Sequence, residues 1–201
     1  MILQMQIFHL PLNGGNIYMK IKFIPTIIAA AIGLATTQAA LAVDGTIDFT
    51  GEITANTCTV QIDNNSTGSG IVTLPTISAS AMPTPNSVVG TTAFNIMLSN
   101  CSIATDTTVS AYFEPGAYTT ATGRLAQSHP SGADNVEIQL LNSEQNIINT
   151  MGEAGNQNDT AVAMNTGETS ATLTYYAQYF STGVVTPGPV TSQVSYSIIY
   201  D

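Results

Sequence analysis

The feature that most limits how this chain can fold is the lack of helical periodicity after residue 42. Short runs of alternating or continuous apolar residues occur there instead, and segments rich in Gly, Pro, Asn, Asp and Ser separate them. The runs are "ITANTCTVQI", "GIVTLPTI", "TAFNIMLS", "TTVSAYFE", "NVEIQLLN", "ATLTYYAQYF" and "QVSYSIIY". Many short strands at this spacing are typical of an all-β sandwich. The sequence therefore predicts one all-β domain.

The N-terminal part of the chain is expected to lie outside this domain. Residues 19–42 combine a short basic start, an apolar stretch from Phe23 to Leu34 and a small-x-small pattern that ends at Ala42. This combination is typical of a secretory signal peptide. Residues 1–18 precede a second methionine start and are interpreted as an upstream extension. We expect cleavage after Ala42, or a few residues earlier within the alanine run, and an exported domain.

Charge narrows the range of partners. When Lys20 and Lys22 leave with the signal peptide, Arg124 remains as the only strong cation against thirteen acidic residues. A surface this acidic repels nucleic acid and anionic lipid. We therefore expect no nucleic acid partner and no direct membrane insertion.

Two cysteines, Cys58 and Cys101, remain in the exported part. An even number of cysteines in an exported chain favours a disulfide. A reactive thiol would need an activating cation nearby, and this sequence has almost none. The pair is therefore predicted to form the single disulfide.

Both ends of the exported chain have the alternation of an amphipathic strand. In "VDGTIDFTGEI" acidic residues and threonines alternate with an apolar face that contains two glycines, and glycine weakens the interior of a strand. That face carries Val43, Gly45, Ile47, Phe49, Gly51 and Ile53. In the C-terminal "QVSYSIIYD" one face carries Val194, Tyr196, Ile198 and Tyr200. The two strands could pair with each other or with other chains, and the alternation alone leaves both open.

Four features together suggest a family. They are "GTIDFTGEITANTCTV" at the start, "FNIMLSNCS" in the middle, "YYAQYFSTGVVTPGPVTSQVSYSIIYD" at the end, and a C-terminal signature. In the signature an aromatic residue, Tyr200, is penultimate and a glycine, Gly188, is fourteenth from the end. The chain resembles the pilin subunits of chaperone–usher fimbriae, above all the major subunit of type 1 fimbriae.

The resemblance implies an incomplete immunoglobulin-like β-sandwich that a strand donated by another subunit completes. Residues 43–52 would be the donor strand and residues 53–201 the pilin domain. The donor side chains would be Val43, Gly45, Ile47, Phe49 and Gly51. The groove edge, where a chaperone docks first, would include Gly188, Val194, Tyr196, Ile198 and Tyr200, with chaperone cations holding the carboxylate of Asp201.

The resemblance also implies partners and a location. The partners would be neighbouring pilin subunits in a homopolymer, a periplasmic chaperone and an outer-membrane usher. The chain would pass through the periplasm to the cell surface and support adhesion as part of a fimbrium. A minor or adaptor subunit shares these motifs, so that alternative stays open.

An enzyme is not expected. His129 is the one histidine of the exported part, it lies in a turn-like segment, and no G-x-S-x-G sequence accompanies it. Asp159 and Glu168 flank a polar loop, but no D-x-D-x-D-G pattern favours calcium. We therefore predict no catalytic residue, no metal and no cofactor.

A small secreted carbohydrate-binding sandwich is the remaining alternative. Three aromatic residues, Tyr112, Phe113 and Tyr118, could form a platform for a sugar ring. Packing in the core is the interpretation we prefer for these side chains, because aromatic residues dominate the cores of small domains.

Overall fold

The computed structural model describes residues 46–63 and 65–201. It contains eight strands: β1 (Thr57–Ile62), β2 (Val88–Ser102), β3 (Thr107–Glu114), β4 (Leu125–Ala126), β5 (Val136–Leu141), β6 (Val162–Met164), β7 (Ser170–Ser181) and β8 (Ser195–Tyr200). One turn of 3-10 helix spans Ala79–Ala81. The chain divides into two units after Phe49, so residues 46–49 are described separately from the strands. No helix among the described residues is long and apolar enough to cross a membrane.

The strands form two antiparallel sheets. The larger sheet has the order β1-β2-β7-β5-β4, and the smaller has the order β6-β3-β8. Because β8 pairs with β3, which lies far earlier in the sequence, the C-terminal strand forms one edge of the smaller sheet through a long-range contact. The predicted all-β sandwich is confirmed.

The core lies between the two sheets and follows the period of two. Alternate residues of β2, β3 and β7 are almost fully buried there: Phe94, Ile96, Leu98, Val109, Ala111, Phe113, Leu173, Tyr175 and Ala177. The ring of Tyr175 stands edge-on to Phe113, with ring centroids 5.1 Å apart, and lies 5.7 Å from Phe94. Edge-to-face geometry adds stabilisation to the burial of these rings. Phe113 is therefore a core residue, as preferred above, whereas Tyr112 is half-buried and Tyr118 is exposed.

The predicted disulfide is present. Cys58 in β1 and Cys101 in β2 are bonded, and no free cysteine occurs in the described part of the chain. The two strands are neighbours in the larger sheet, so the bond fastens the edge strand β1 to its partner.

The structure differs from the strand predictions in both directions: β4 and β6 lie outside the predicted runs, and two alternating segments form no strand. Residues 70–77, "GIVTLPTI", form no strand, although Val72 and Leu74 pack against the core. Residues 50–56 form no strand either, and the first strand begins only at Thr57. An alternating sequence becomes a strand only where another strand offers its backbone, and neither segment has such a partner within unit 50–201.

Candidate functional site

The C-terminal strand β8 leaves one edge of the smaller sheet unpaired in the described structure. Its pairing with β3 runs from Ser195 opposite Glu114 to Tyr200 opposite Val109. Thr108 and Asp201 exchange two backbone hydrogen bonds of 2.7 and 3.0 Å just beyond the strand. In an antiparallel ladder such pairs alternate, so the N–H and C=O groups of even-numbered residues in β8 face away from β3. The unpaired edge therefore carries the backbone groups of Tyr196, Ile198 and Tyr200.

A groove of about 860 Å³ runs beside this edge, and we call it the β8 groove. One wall is β8 together with residues 190–194, and the other is β1 together with residues 68–74. Its floor is formed by core side chains that include Phe94, Ile96, Phe113 and Leu140. An apolar floor between two strand edges is the arrangement that a further amphipathic strand fits, because its backbone can pair while its apolar face is buried.

The predicted edge residues lie together at this groove. Val194, Tyr196 and Ile198 line it, and Tyr200 packs with them against the core. All four side chains are only half-buried. Burial raises the pKa of the phenols of Tyr196 and Tyr200. The side chains that the period of two in "QVSYSIIYD" places on one face therefore lie together here, and their contact with a chaperone or a donated strand stays a prediction.

Tyr196 connects the two walls. Its hydroxyl donates a hydrogen bond of 2.6 Å to the carbonyl oxygen of Gly68. Gly68 belongs to the segment after β1, so this bond spans the width of the groove. No feature of the sequence indicates it, because the partners are 128 residues apart.

Gly188 lies elsewhere. It lines a second cavity of about 390 Å³, and the residues that line the β8 groove on this side begin only at Val190. A Cβ atom at this position would lie 2.5 Å from the backbone nitrogen of Ala133 and 2.7 Å from the carbonyl carbon of Gly132. The glycine is therefore required for close backbone packing of the loop before β8, and it does not form the groove edge.

The C-terminal residue Asp201 is held by its own chain. The hydroxyl of Thr107 and the backbone N–H of Thr108 donate to its carbonyl oxygen at 3.0 and 2.7 Å. The side chain of Asp201 is exposed at the end of β8. The expected contact with chaperone cations stays a prediction.

The predicted donor residues are only partly described. Val43 and Gly45 lie outside the described residues. Ile47 and Phe49 are 81% and 91% exposed. Gly51 has open space around the position of a Cβ atom, and the neighbouring Ile53 is fully exposed. Exposed large apolar side chains in succession are unusual on a soluble protein and often mark an interaction segment.

The polar residues considered for catalysis or metal binding make hydrogen bonds within their own loops. His129 accepts a hydrogen bond from the backbone of Ser131 through Nδ1. No group of three His, Cys, Asp or Glu residues suited to a metal occurs among the described residues. Glu168 accepts from Asn165 in a turn.

Asp159 is a half-buried acidic residue that is hydrogen-bonded to the core. Its carboxylate accepts hydrogen bonds from the hydroxyl of Tyr175 and the backbone N–H of Ala111, at 2.8 and 3.0 Å. Burial raises the pKa of the Asp159 carboxyl, and the hydrogen bonds offset part of that shift. Burial and the charge of Asp159 also raise the pKa of Tyr175. The sequence gives no sign of this arrangement, in which Asp159 acts within the fold.

Comparisons with known proteins identify relatives of this chain. The profile of the family described as "FimA: Type-1 fimbrial protein, A" matches residues 74–201. The F17 fimbrial protein of Escherichia coli is 43% identical over 186 residues, which cover 90% of this chain and 98% of that protein. The major fimbrial subunit SMF-1 of Stenotrophomonas maltophilia is 40% identical over 167 residues, covering 81% of this chain and 96% of that protein. The crystal structure of the P pilus rod subunit PapA has the same fold, with a TM-score of 0.50 and 16% identity over 71% of this chain and 99% of that one.

Proposed function

Because the chain belongs to the type-1 fimbrial protein family, we propose that it polymerises by strand donation, with residues 43–52 of one copy filling the β8 groove of another. The protein is a structural subunit of a fimbrium, exported through the periplasm to the cell surface. Its family is one of structural fimbrial proteins and not of enzymes. Assembly with other pilin subunits follows from this membership.

One observation carries the proposal: the unpaired edge of β8 lies beside an apolar groove. A donated strand would pair with the backbone groups of Tyr196 and Ile198 and bury its own apolar face on the floor. Full burial of Ile47 and Phe49 would contribute about 1.5–3 kcal/mol each. Backbone hydrogen bonds along the strand add about 1 kcal/mol each. The joint would also complete the core of the acceptor, so its lifetime would follow the rate of acceptor unfolding.

The same groove supports a delivery route. An unpaired edge with an apolar face promotes aggregation unless another chain covers it. A periplasmic chaperone would cover β8 before assembly, and an outer-membrane usher would exchange the chaperone strand for residues 43–52. In the finished filament the subunit would form the shaft and support adhesion of the cell, with a minor or adaptor role as the alternative.

Two complementary variants test strand donation. A subunit without residues 43–52 keeps its groove, and a subunit with Ile198→Asp keeps its donor segment but carries a charge on the groove wall. We expect that neither variant alone forms filaments and that the two together form a dimer, measured by size-exclusion chromatography and electron microscopy. Ser197→Ala, on the opposite face of β8, is the control and should leave filaments unchanged. Filaments from the subunit without residues 43–52 would refute the proposal.

A further inference from the structure

The smaller sheet has a second edge, at β3, which β6 covers only in part. β6 pairs with β3 from Thr107 to Val109, whereas β3 continues to Glu114. The alternation of the ladder turns the backbone groups of Ala111 and Phe113 toward the stretch that β6 leaves uncovered. Here two side chains from the loop before β6 take the place of a strand.

Gln157 supplies the first of these side chains. Its Oε1 accepts a hydrogen bond from the backbone N–H of Phe113 at 2.9 Å, and its Nε2 donates to the carbonyl oxygen of Phe113 at 2.7 Å. A residue of a paired strand exchanges the same two bonds with its neighbour. The side chain is 1% exposed, so the amide of Gln157 imitates a peptide group in the interior.

Asp159 supplies the second. Its Oδ2 accepts from the N–H of Ala111, which is the next group along the same edge, and from the hydroxyl of Tyr175. Its Oδ1 accepts from the N–H of Thr160 at 2.7 Å. We call Gln157 and Asp159 the side-chain cap.

The loop that carries the cap is fastened at several points. The backbone N–H of Asn149 donates to the carbonyl oxygen of Gln157, and the amide of Asn142 donates to the carbonyl oxygen of Asn158. Asn158 in turn donates to the carbonyl oxygen of Ile147. The side-chain cap is therefore held in place by the segment that follows β5 as well as by β3.

We propose that the side-chain cap restricts strand addition to β8, so that each subunit accepts a single donated strand and the filament stays unbranched. This inference rests on the proposed function, because the strand excluded from β3 is the donor segment of another copy. An uncapped edge at Ala111 and Phe113 would offer that segment a second set of unpaired backbone groups. β6 needs no such protection, because short edge strands of its length offer little to pair with.

A labelled peptide tests the cap. The probe is a fluorescent synthetic peptide with the sequence of residues 43–53, added to purified filaments and located by microscopy. In wild-type filaments the β8 grooves along the shaft are filled, so we expect label at one end only. Gln157→Met keeps the volume of the side chain and removes both hydrogen bonds to Phe113. We expect that filaments of this variant bind the peptide along their length, with at least tenfold more label per filament.

A matched control and a second variant complete the test. Asn156→Ala changes an exposed neighbour in the same loop and should give the wild-type pattern. If Gln157→Met does not assemble, Gln157→Glu, which keeps the acceptor for the N–H of Phe113, is measured in the same way. Label confined to the ends of variant filaments would overturn the inference. This holds even if hydrogen exchange shows that the backbone amide of Phe113 has become less protected in the variant. Wild-type filaments that bind no peptide at either end would instead contradict strand donation itself.

Discussion

At the scale of single residues, small side chains and buried polar groups decide how closely segments approach. Gly188 packs its Cα against the backbone at Gly132 and Ala133, where any Cβ would collide. Tyr196 is apolar enough to line the β8 groove, yet its hydroxyl reaches Gly68 on the opposite wall. The same logic applies to the glycines of the predicted donor strand, which are expected to pass over shallow parts of a neighbour's groove.

Gly45→Leu should therefore block polymerisation. The added side chain would overpack the groove of the acceptor, at a cost of about 1–3 kcal/mol or more. The fold of the donor subunit should not change, because residues 43–52 are expected to lie outside its own domain. Filament yield and chaperone binding are the two measurements. Normal filaments, or a loss of chaperone binding, would count against donation by this segment.

Asp159→Asn should change the pH dependence of stability. The pKa of this carboxyl is raised in the folded protein above its ordinary value of 3.8, because burial disfavours the charged form. Its contribution to stability is therefore fully present below pH 3.8 and is lost as the pH rises through the folded pKa. Asparagine keeps an acceptor for Tyr175 and does not ionise. The difference in unfolding free energy between the two proteins should shift in favour of the variant from pH 3.8 to 7, measured by urea denaturation.

A pH-independent difference between wild type and variant would contradict this explanation. Glu153→Gln provides the control, because Glu153 is an exposed acid in the same loop. It should leave the pH dependence of the unfolding free energy close to that of wild type.

At the scale of elements, alternation in the sequence located the longer strands but not β4 and β6, which have only two and three residues. β1, β3, β5 and β8 lie within predicted runs, and β7 extends one residue beyond its run at each end. Residues 70–77 alternate equally well but have no strand beside them, so no local pattern could separate them from a true strand. The side-chain cap could not be predicted from the sequence either. Gln157 and Phe113 are 44 residues apart, and the loop that contains Gln157 has no pattern beyond its polarity.

Deletion of Tyr200 and Asp201 should prevent stable accumulation of the subunit. The deletion shortens β8 at the end where Asp201 bonds with Thr108, and it removes an aromatic side chain that packs against the core. We expect loss of the chaperone complex and degradation in the periplasm, measured by co-purification with the chaperone. Asp201→Asn is the milder companion variant, since it keeps the strand and the terminal carboxylate. A truncated subunit that still accumulates with its chaperone would show that docking does not depend on this end of β8.

At the scale of the whole molecule, charge limits the contacts that copies can make. Arg124 is the only Lys or Arg among the described residues, and it is already engaged within the subunit. It lies 3.5 Å from Glu137 and 3.5 Å above the ring of Phe180. Contacts between the described surfaces of two copies therefore have no free Lys or Arg for an ion pair, while acidic side chains repel across them.

Filaments should consequently be more stable at higher ionic strength. Salt screens repulsion between exposed charges over about 10 Å at 0.1 M, and here there is little attraction for it to weaken. We expect the rate of thermal depolymerisation to fall when the NaCl concentration is raised from about 0.02 M to about 0.5 M, because the screening length shortens over this range. Glu153→Lys, at an exposed position, should reduce the salt dependence. Filaments that dissociate faster in high salt would instead indicate joints built on ion pairs.

The disulfide between β1 and β2 has a mechanical consequence. In a filament joined by residues 43–52, tension enters each subunit through residues 53–56 and reaches β1 at Thr57. Pulled from its end, an edge strand would peel off one backbone bond at a time. Cys58 is the second residue of β1, and its bond to Cys101 transfers the load to β2, which is paired on both sides. In a filament joined in this way, we expect the covalent link to carry load that would otherwise peel β1 from β2, so that reduction of the bond lowers the force at which the fimbrium fails.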